Sequence, residues 1–141
     1  MKLDEIQTLW ADDAGFALDR IDEEASNIPR LHSKYYQIYS QERMILKKQQ
    51  SDYKKLYLEK FEFYTQGPTE EQHKKGWVLP SKGVILKNEA DRYLDADDDL
   101  INMSLRIEVQ KEKVDFLISI INHINNRSFQ LKNALDFMKW Q

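Results

Sequence analysis

Residues 30–64 read RLHSKYYQIYSQERMILKKQQSDYKKLYLEKFEFY, a stretch with no glycine and no proline. Leu31, Tyr35, Ile38, Ile45, Tyr53, Leu56 and Phe63/Tyr64 recur in it near helical spacing, which predicts one long helix with an apolar face. Ser26 and Asn27 are its N-cap candidates, and Pro29 sits where a first turn tolerates a missing N–H. A helix of about 35 residues is roughly 50 Å long, whereas a compact chain of this size is roughly 37 Å across. The monomer therefore cannot be a sphere. Either it is an elongated hairpin of helices, or its long helices are partly buried by neighbouring subunits.

Upstream of that helix, Leu3, Ile6, Leu9 and Trp10 mark one face of a short helix that Asp12, Asp13 and Gly15 end. Downstream, Gly67, Pro68, Gly76, Pro80 and Gly83 predict a loop over 67–87, with short extended pieces at 77–79 and 84–86. A second long helix is expected from Asn88, clearest from Asp98 to Ile124, where Ile101, Leu105, Val109, Val114, Leu117, Ile118, Ile121 and Ile124 form an apolar stripe. Asn125 and Asn126 interrupt the stripe, and Phe129, Leu131, Ala134, Leu135 and Met138 predict a short final helix within 88–140. The reading is a single all-α domain over 1–141, an elongated long-helix hairpin with short N- and C-terminal helices. Phe116 and Ile120 broaden the stripe beyond one face, which favours burial between subunits. Phe116, Ile120, Ile121, Ile124, Phe129 and Leu135 are thus the candidate oligomerisation residues.

Composition supports a helix-rich domain with a lean core: 41% of residues are hydrophobic and 32% charged, with four Gly and three Pro. Cys is absent, which rules out disulfides and thiolate metal sites and suits a reducing cytosol. The start is polar and acidic, and no apolar run is long enough to span a membrane, so a cytoplasmic protein is expected. The net charge of −3 argues weakly against a nucleic-acid binder, but the charges are segregated. Residues 1–29 carry eight acids against two bases, and 89–110 carry seven acids against Arg92 and Arg106. Between them, 30–60 carry eight bases against Glu42, Asp52 and Glu59, a net of +5.

Signatures of enzymes are missing. There is no phosphate-cradling glycine loop, and His32, His73 and His123 are too far apart for a ligand pair of the His-x-x-x-His kind. The acidic run Asp95-Ala96-Asp97-Asp98-Asp99 fails as a calcium loop, because Leu100 stands where the turn needs Gly and Arg106 where the bidentate Glu belongs. An acidic first helical turn explains it better. No cofactor, metal or catalytic residue is therefore expected.

The basic block points elsewhere. Arg43, Lys47 and Lys54 are spaced four and seven apart, and Lys48 and Lys55 seven apart, so these five cations occupy adjoining lines on one helix. Tyr57 and Tyr64 lie beside them in sequence, and Lys60 extends the block. Cationic tracks pair with phosphates, and interleaved aromatics stack on unpaired bases. The same pattern also describes a plain solvated helix face, and an oligomer that repeats the +5 segment shifts the balance toward a binding surface.

Several segments carry a resemblance to a known family. Leu31-His32-Ser33-Lys34-Tyr35, Glu62-Phe63-Tyr64-Thr65-Gln66-Gly67, Leu86-Lys87 with Tyr93-Leu94-Asp95-Ala96-Asp97, and Arg127 to Leu135 resemble, in order and spacing, the UvsY recombination mediators of tailed bacteriophages. The resemblance implies an all-helical, non-catalytic protein in the infected host cytosol, assembling as a ring-like homo-oligomer, heptameric in members of the family. It also implies binding of single-stranded DNA, contact with the single-strand-binding protein that coats it, and loading of a RecA-like recombinase. Lys60 matches a basic position of the family's DNA-contacting motif, while Leu58 stands where that motif has a second base, so the missing charge is expected at Lys54 or Lys55. The competing reading is a structural helical adaptor that oligomerises without binding DNA.

Overall fold

The computed structural model describes residues 1–140, Leu18 by its backbone. The described residues form helices α1 (Leu3–Ala14), α2 (Ile21–Gln66), α3 (Glu70–Lys74), α4 (Ala90–Asp95) and α5 (Asp98–Lys139), with short 3-10 turns at Leu18–Arg20 and Lys87–Glu89 and no strand. They divide into two compact units. The first comprises Met1–Leu46 and Val109–Gln141, the second Lys47–Glu108.

Local chemistry sets most helix ends. The Lys2 backbone N–H donates to the Glu5 carboxylate at 3.3 Å, and Asp4 and Glu5 favour the first turn of α1 through the helix dipole. Gly67 closes α2: at φ +96° its N–H donates to the Phe63 carbonyl at 2.9 Å, and Pro68 forbids continuation. Thr69 and Gln72 cap α3 reciprocally, each side chain accepting from the other's backbone N–H, at 3.2 and 2.9 Å.

Four expectations from the sequence do not hold. The long helix begins at Ile21, with Pro29 inside it. Asp22, Glu23 and Glu24 provide an acidic first turn, and Pro29 and Ala25 are both exposed, so water can serve the Ala25 carbonyl that lacks its amide partner. Ile28 and Leu31 meanwhile anchor the segment in the first unit's core. The second long helix does not run unbroken from Asn88, because Asp97 interrupts it by capping α5: its carboxylate accepts the Leu100 N–H at 3.0 Å. Finally, there is no separate C-terminal helix. Asn125 and Asn126 lower helix propensity by less than about 0.7 kcal/mol each, and buried Ile124, Arg127 and Leu131, at helical spacing, carry α5 through them. The expected extended pieces at 77–79 and 84–86 are irregular backbone.

In the first unit, Ile6 of α1, Leu31 and Tyr35 of α2, and Leu117, Ile120 and Ile124 of α5 form the core, with Trp10 edge-on to Tyr35 at 5.4 Å. Buried Arg127 completes α1 by donating to the carbonyls of Asp13 and Ala14 at 3.2 and 2.7 Å, the orphan acceptors of its last turn. Its guanidinium lies 5.8 and 5.5 Å from the ring centres of Trp10 and Phe16. The Asp13 carboxylate accepts from Lys34 Nζ at 2.6 Å and from Tyr35 Oη at 2.7 Å. Buried Glu42 accepts from Gln110 Nε2 at 2.9 Å.

The second unit gathers Ile85, Ala90, Leu94 and Leu100 against Tyr53, Leu56, Phe61, Tyr64 and Tyr93. Its polar centre is Asp97, which is 5% exposed and, besides capping α5, accepts from Tyr64 Oη at 2.6 Å and pairs with Lys60 Nζ at 3.1 Å.

Candidate nucleic-acid interface

The cations of α2 separate into two populations. Arg43, Lys47, Lys48, Lys54 and Lys55 are exposed, and among the described residues none of them makes an ion pair. Counting about 100° per residue around the helix, Arg43, Lys47 and Lys54 lie within about 40° of one another, with Lys48 and Lys55 along the adjoining line. The line of Arg43, Lys47 and Lys54 carries no acid: Glu42 is buried in the first unit, and Asp52 and Glu59 lie on the Lys48 and Lys55 side of the helix. Arg43, Lys47 and Lys54 thus form a strip of ammonium and guanidinium groups free of acids along one helix, flanked by Lys48 and Lys55, in a chain whose net charge is −3.

Lys60 is placed differently. It is 4% exposed, its Nζ lies 2.8 Å from Asp99 and 3.1 Å from Asp97, and it sits 3.7 Å from the centre of the Trp77 ring. Two carboxylates and an aromatic face leave this cation no free side for a phosphate. Burial pushes the Asp97 carboxyl up, but hydrogen bonds from Tyr64, the Leu100 N–H and Lys60, together with the Lys60 charge, hold it below the ordinary carboxylate range. Burial and the bond to Asp97 push the Tyr64 phenol up in turn.

The two expected stacking rings also turn inward or toward acids. Tyr64 packs edge-on to Phe63 at 5.0 Å and against Tyr93 at 6.0 Å in the second unit's core. Tyr57 is 38% exposed and lies with Tyr53, Leu94 and Asp95 around a cavity of about 190 Å³. Partial burial and the charges of Asp91 and Asp95 push its phenol up. Sequence proximity to the lysines suggested these tyrosines; their partners on α4 and at Asp97 are tertiary neighbours that no spacing rule reveals.

The candidate oligomerisation residues also divide. Ile120 and Ile124 are fully buried within the first unit, and Phe116 and Ile121 pack against the same core. The broad apolar stretch therefore has an occupant in the chain itself, because α1 and α2 cover two of its faces. Phe129 is 68% and Leu135 42% exposed, and Phe137 and Trp140 are exposed near them in sequence.

Among the described residues no group of three or more His, Asp or Glu is arranged to hold a metal ion, and no helix is long and apolar enough to cross a membrane.

The family model described as "Recombination, repair and ssDNA binding protein UvsY" matches residues 9–141. Three crystal structures of the bacteriophage T4 recombination mediator protein UvsY share the fold. Lattice type IV is similar at TM-score 0.84 and 18% identity over 100% of both chains. Lattice type II is similar at 0.81 and 20% identity over 99% of this chain and 97% of that one. Lattice type I is similar at 0.79 and 19% identity over 96% and 98%. No curated protein sequence matches.

Proposed function

The chain belongs to the UvsY family, and from that premise we propose that it binds single-stranded DNA along Arg43, Lys47, Lys48, Lys54 and Lys55 of α2. In this reading it is a recombination mediator that promotes loading of a RecA-like recombinase onto strands coated by single-strand-binding protein, during phage recombination, repair and recombination-dependent replication. The observation that carries it is the strip of exposed cations, none in an ion pair among the described residues, with no acid on the line of Arg43, Lys47 and Lys54. Family membership supplies the context in which such a strip meets a nucleic acid.

The physical logic is charge placement. Each ammonium that meets a phosphate releases condensed counterions, so affinity accumulates from many individually weak contacts. A strand held this way can pass to another protein contact by contact, which is what loading requires. The chain works in the proposal as a ring-like homo-oligomer, heptameric as in members of the family. Exposed Phe129 and Leu135 supply apolar surface for self-association, and repeating the strip raises the number of phosphates that one strand can meet. No group in this role makes or breaks a covalent bond.

The assay is the single-strand-dependent ATPase of a RecA-like recombinase on a strand precoated with single-strand-binding protein. Adding the chain is expected to shorten the lag before steady hydrolysis, whereas a variant with Lys47, Lys48, Lys54 and Lys55 replaced by Ala leaves the lag as it is without mediator. Wild-type protein that binds the coated strand but never shortens the lag contradicts the loading role.

A further inference from the structure

The cationic strip continues toward the N-terminal part of α2 as aromatic rings. His32 and Tyr36 are one turn apart, their rings lie within 13° of parallel, and their centroids are 5.9 Å apart. Tyr36 is 51% exposed, and the pair borders an open concavity of about 440 Å³ completed by Ser33 and Gln37. Around the helix, His32, Tyr36 and Arg43 fall within about 40° of one line, at spacings of four and seven, and that is the line that Lys47 and Lys54 prolong. No acidic residue interrupts it.

We infer that the His32–Tyr36 ring pair, with Arg43 about two turns beyond it, is a stacking platform for unpaired nucleobases whose phosphates run along the cationic strip. The inference rests on the proposed single-strand reading and assigns it an aromatic component. Charge selects the occupant: a line whose exposed end-groups are cations and amides favours a polyanion, and a flat π-face beside it favours the planar base that accompanies each phosphate. At 5.9 Å the two rings are already in direct contact, so a base adds to the outside of the pair, on the side of the concavity. In a duplex the base faces are occupied by their neighbours, so the platform contributes only to single strands.

The test compares two probes of equal length and charge, oligothymidylate and an abasic oligonucleotide, in fluorescence-anisotropy titrations. Tyr36→Ala is expected to weaken oligothymidylate binding about five- to a hundredfold per stacked base and to leave abasic binding unchanged. Tyr36→Phe, which keeps the ring, should bind oligothymidylate like wild type. A parallel loss on both probes, or no loss on either, overturns the platform. So does a Tyr36→Ala protein of altered sedimentation mass, which assigns the ring to contacts between copies. If the lysine variant loses binding and Tyr36→Ala does not, the platform alone fails; if wild type binds neither probe, the single-strand reading fails with it.

Discussion

Replacing Lys47, Lys48, Lys54 and Lys55 by alanine is expected to flatten the salt dependence of single-strand affinity by about 2.8 in the log–log slope, four contacts at about 0.7 each. Near 0.1 M salt that corresponds to a loss of about two to three orders of magnitude in affinity for each set of four contacts engaged. The side chains are exposed and make no ion pair among the described residues, so the variant should keep its helicity and its unfolding midpoint. Anisotropy titrations at several salt concentrations, beside thermal unfolding, check both halves. A folded variant with the wild-type slope assigns the strip to solvent.

The second large effect concerns stability. Asp97→Ala removes the N-cap of α5, the acceptor for Tyr64 and one of the two partners of Lys60 in a single change. Breaking a buried ion pair from one side typically costs about 3–5 kcal/mol, so chemical denaturation should show a loss of that order. Lys60→Met should also destabilise the protein, while leaving the salt slope of DNA binding unchanged, because Lys60 is already committed to Asp97 and Asp99. A flattened slope with little loss of stability would instead return Lys60 to the phosphates.

Buried carboxylates in each unit determine behaviour in acid. The carboxyls of Asp13, Glu42 and Asp97 are all held below their ordinary range: burial works against this, but hydrogen bonds and nearby cations outweigh it. A depressed folded-state value means that the contribution is fully present above the unfolded carboxyl value of about 4 and is lost as pH falls through the folded one. Stability should thus decline below about pH 4, and Asp97→Asn should decline less steeply from a lower starting point. Denaturant midpoints through the acid range report this directly.

The helices and the cationic strip were legible in the sequence because both depend on local spacing. Arg43, Lys47 and Lys54 share a line of α2 whatever the rest of the chain does, and Leu3, Ile6, Leu9 and Trp10 define α1 in the same way. What spacing misjudged was decided by partners distant in sequence. Pro29 looked like a helix start because propensity argues for one, yet Ile28 and Leu31 hold the surrounding turns in the first core. Lys60 looked like a member of the strip, but its partner Asp99 lies 39 positions away. Ile120 and Ile124 looked surplus to a monomer because the packing of α1 and α2 on α5 leaves no mark in α5's own pattern. Tyr36 was within reach of the same spacing argument as the lysines. Tyr57 and Tyr64 stand closer to them in sequence, yet the structure turns one toward Asp91 and Asp95 and buries the other beside Asp97.

Lysine acetylation footprinting by mass spectrometry reports directly whether DNA meets this chain on the exposed cations of α2. With oligothymidylate present, Lys47, Lys48, Lys54 and Lys55 should be protected and exposed Lys132 should remain as reactive as in free protein. Buried Lys60 should react poorly in both states. Undiminished reactivity of the four α2 lysines under saturating oligothymidylate, with protection appearing at other lysines, would place the DNA elsewhere on the chain.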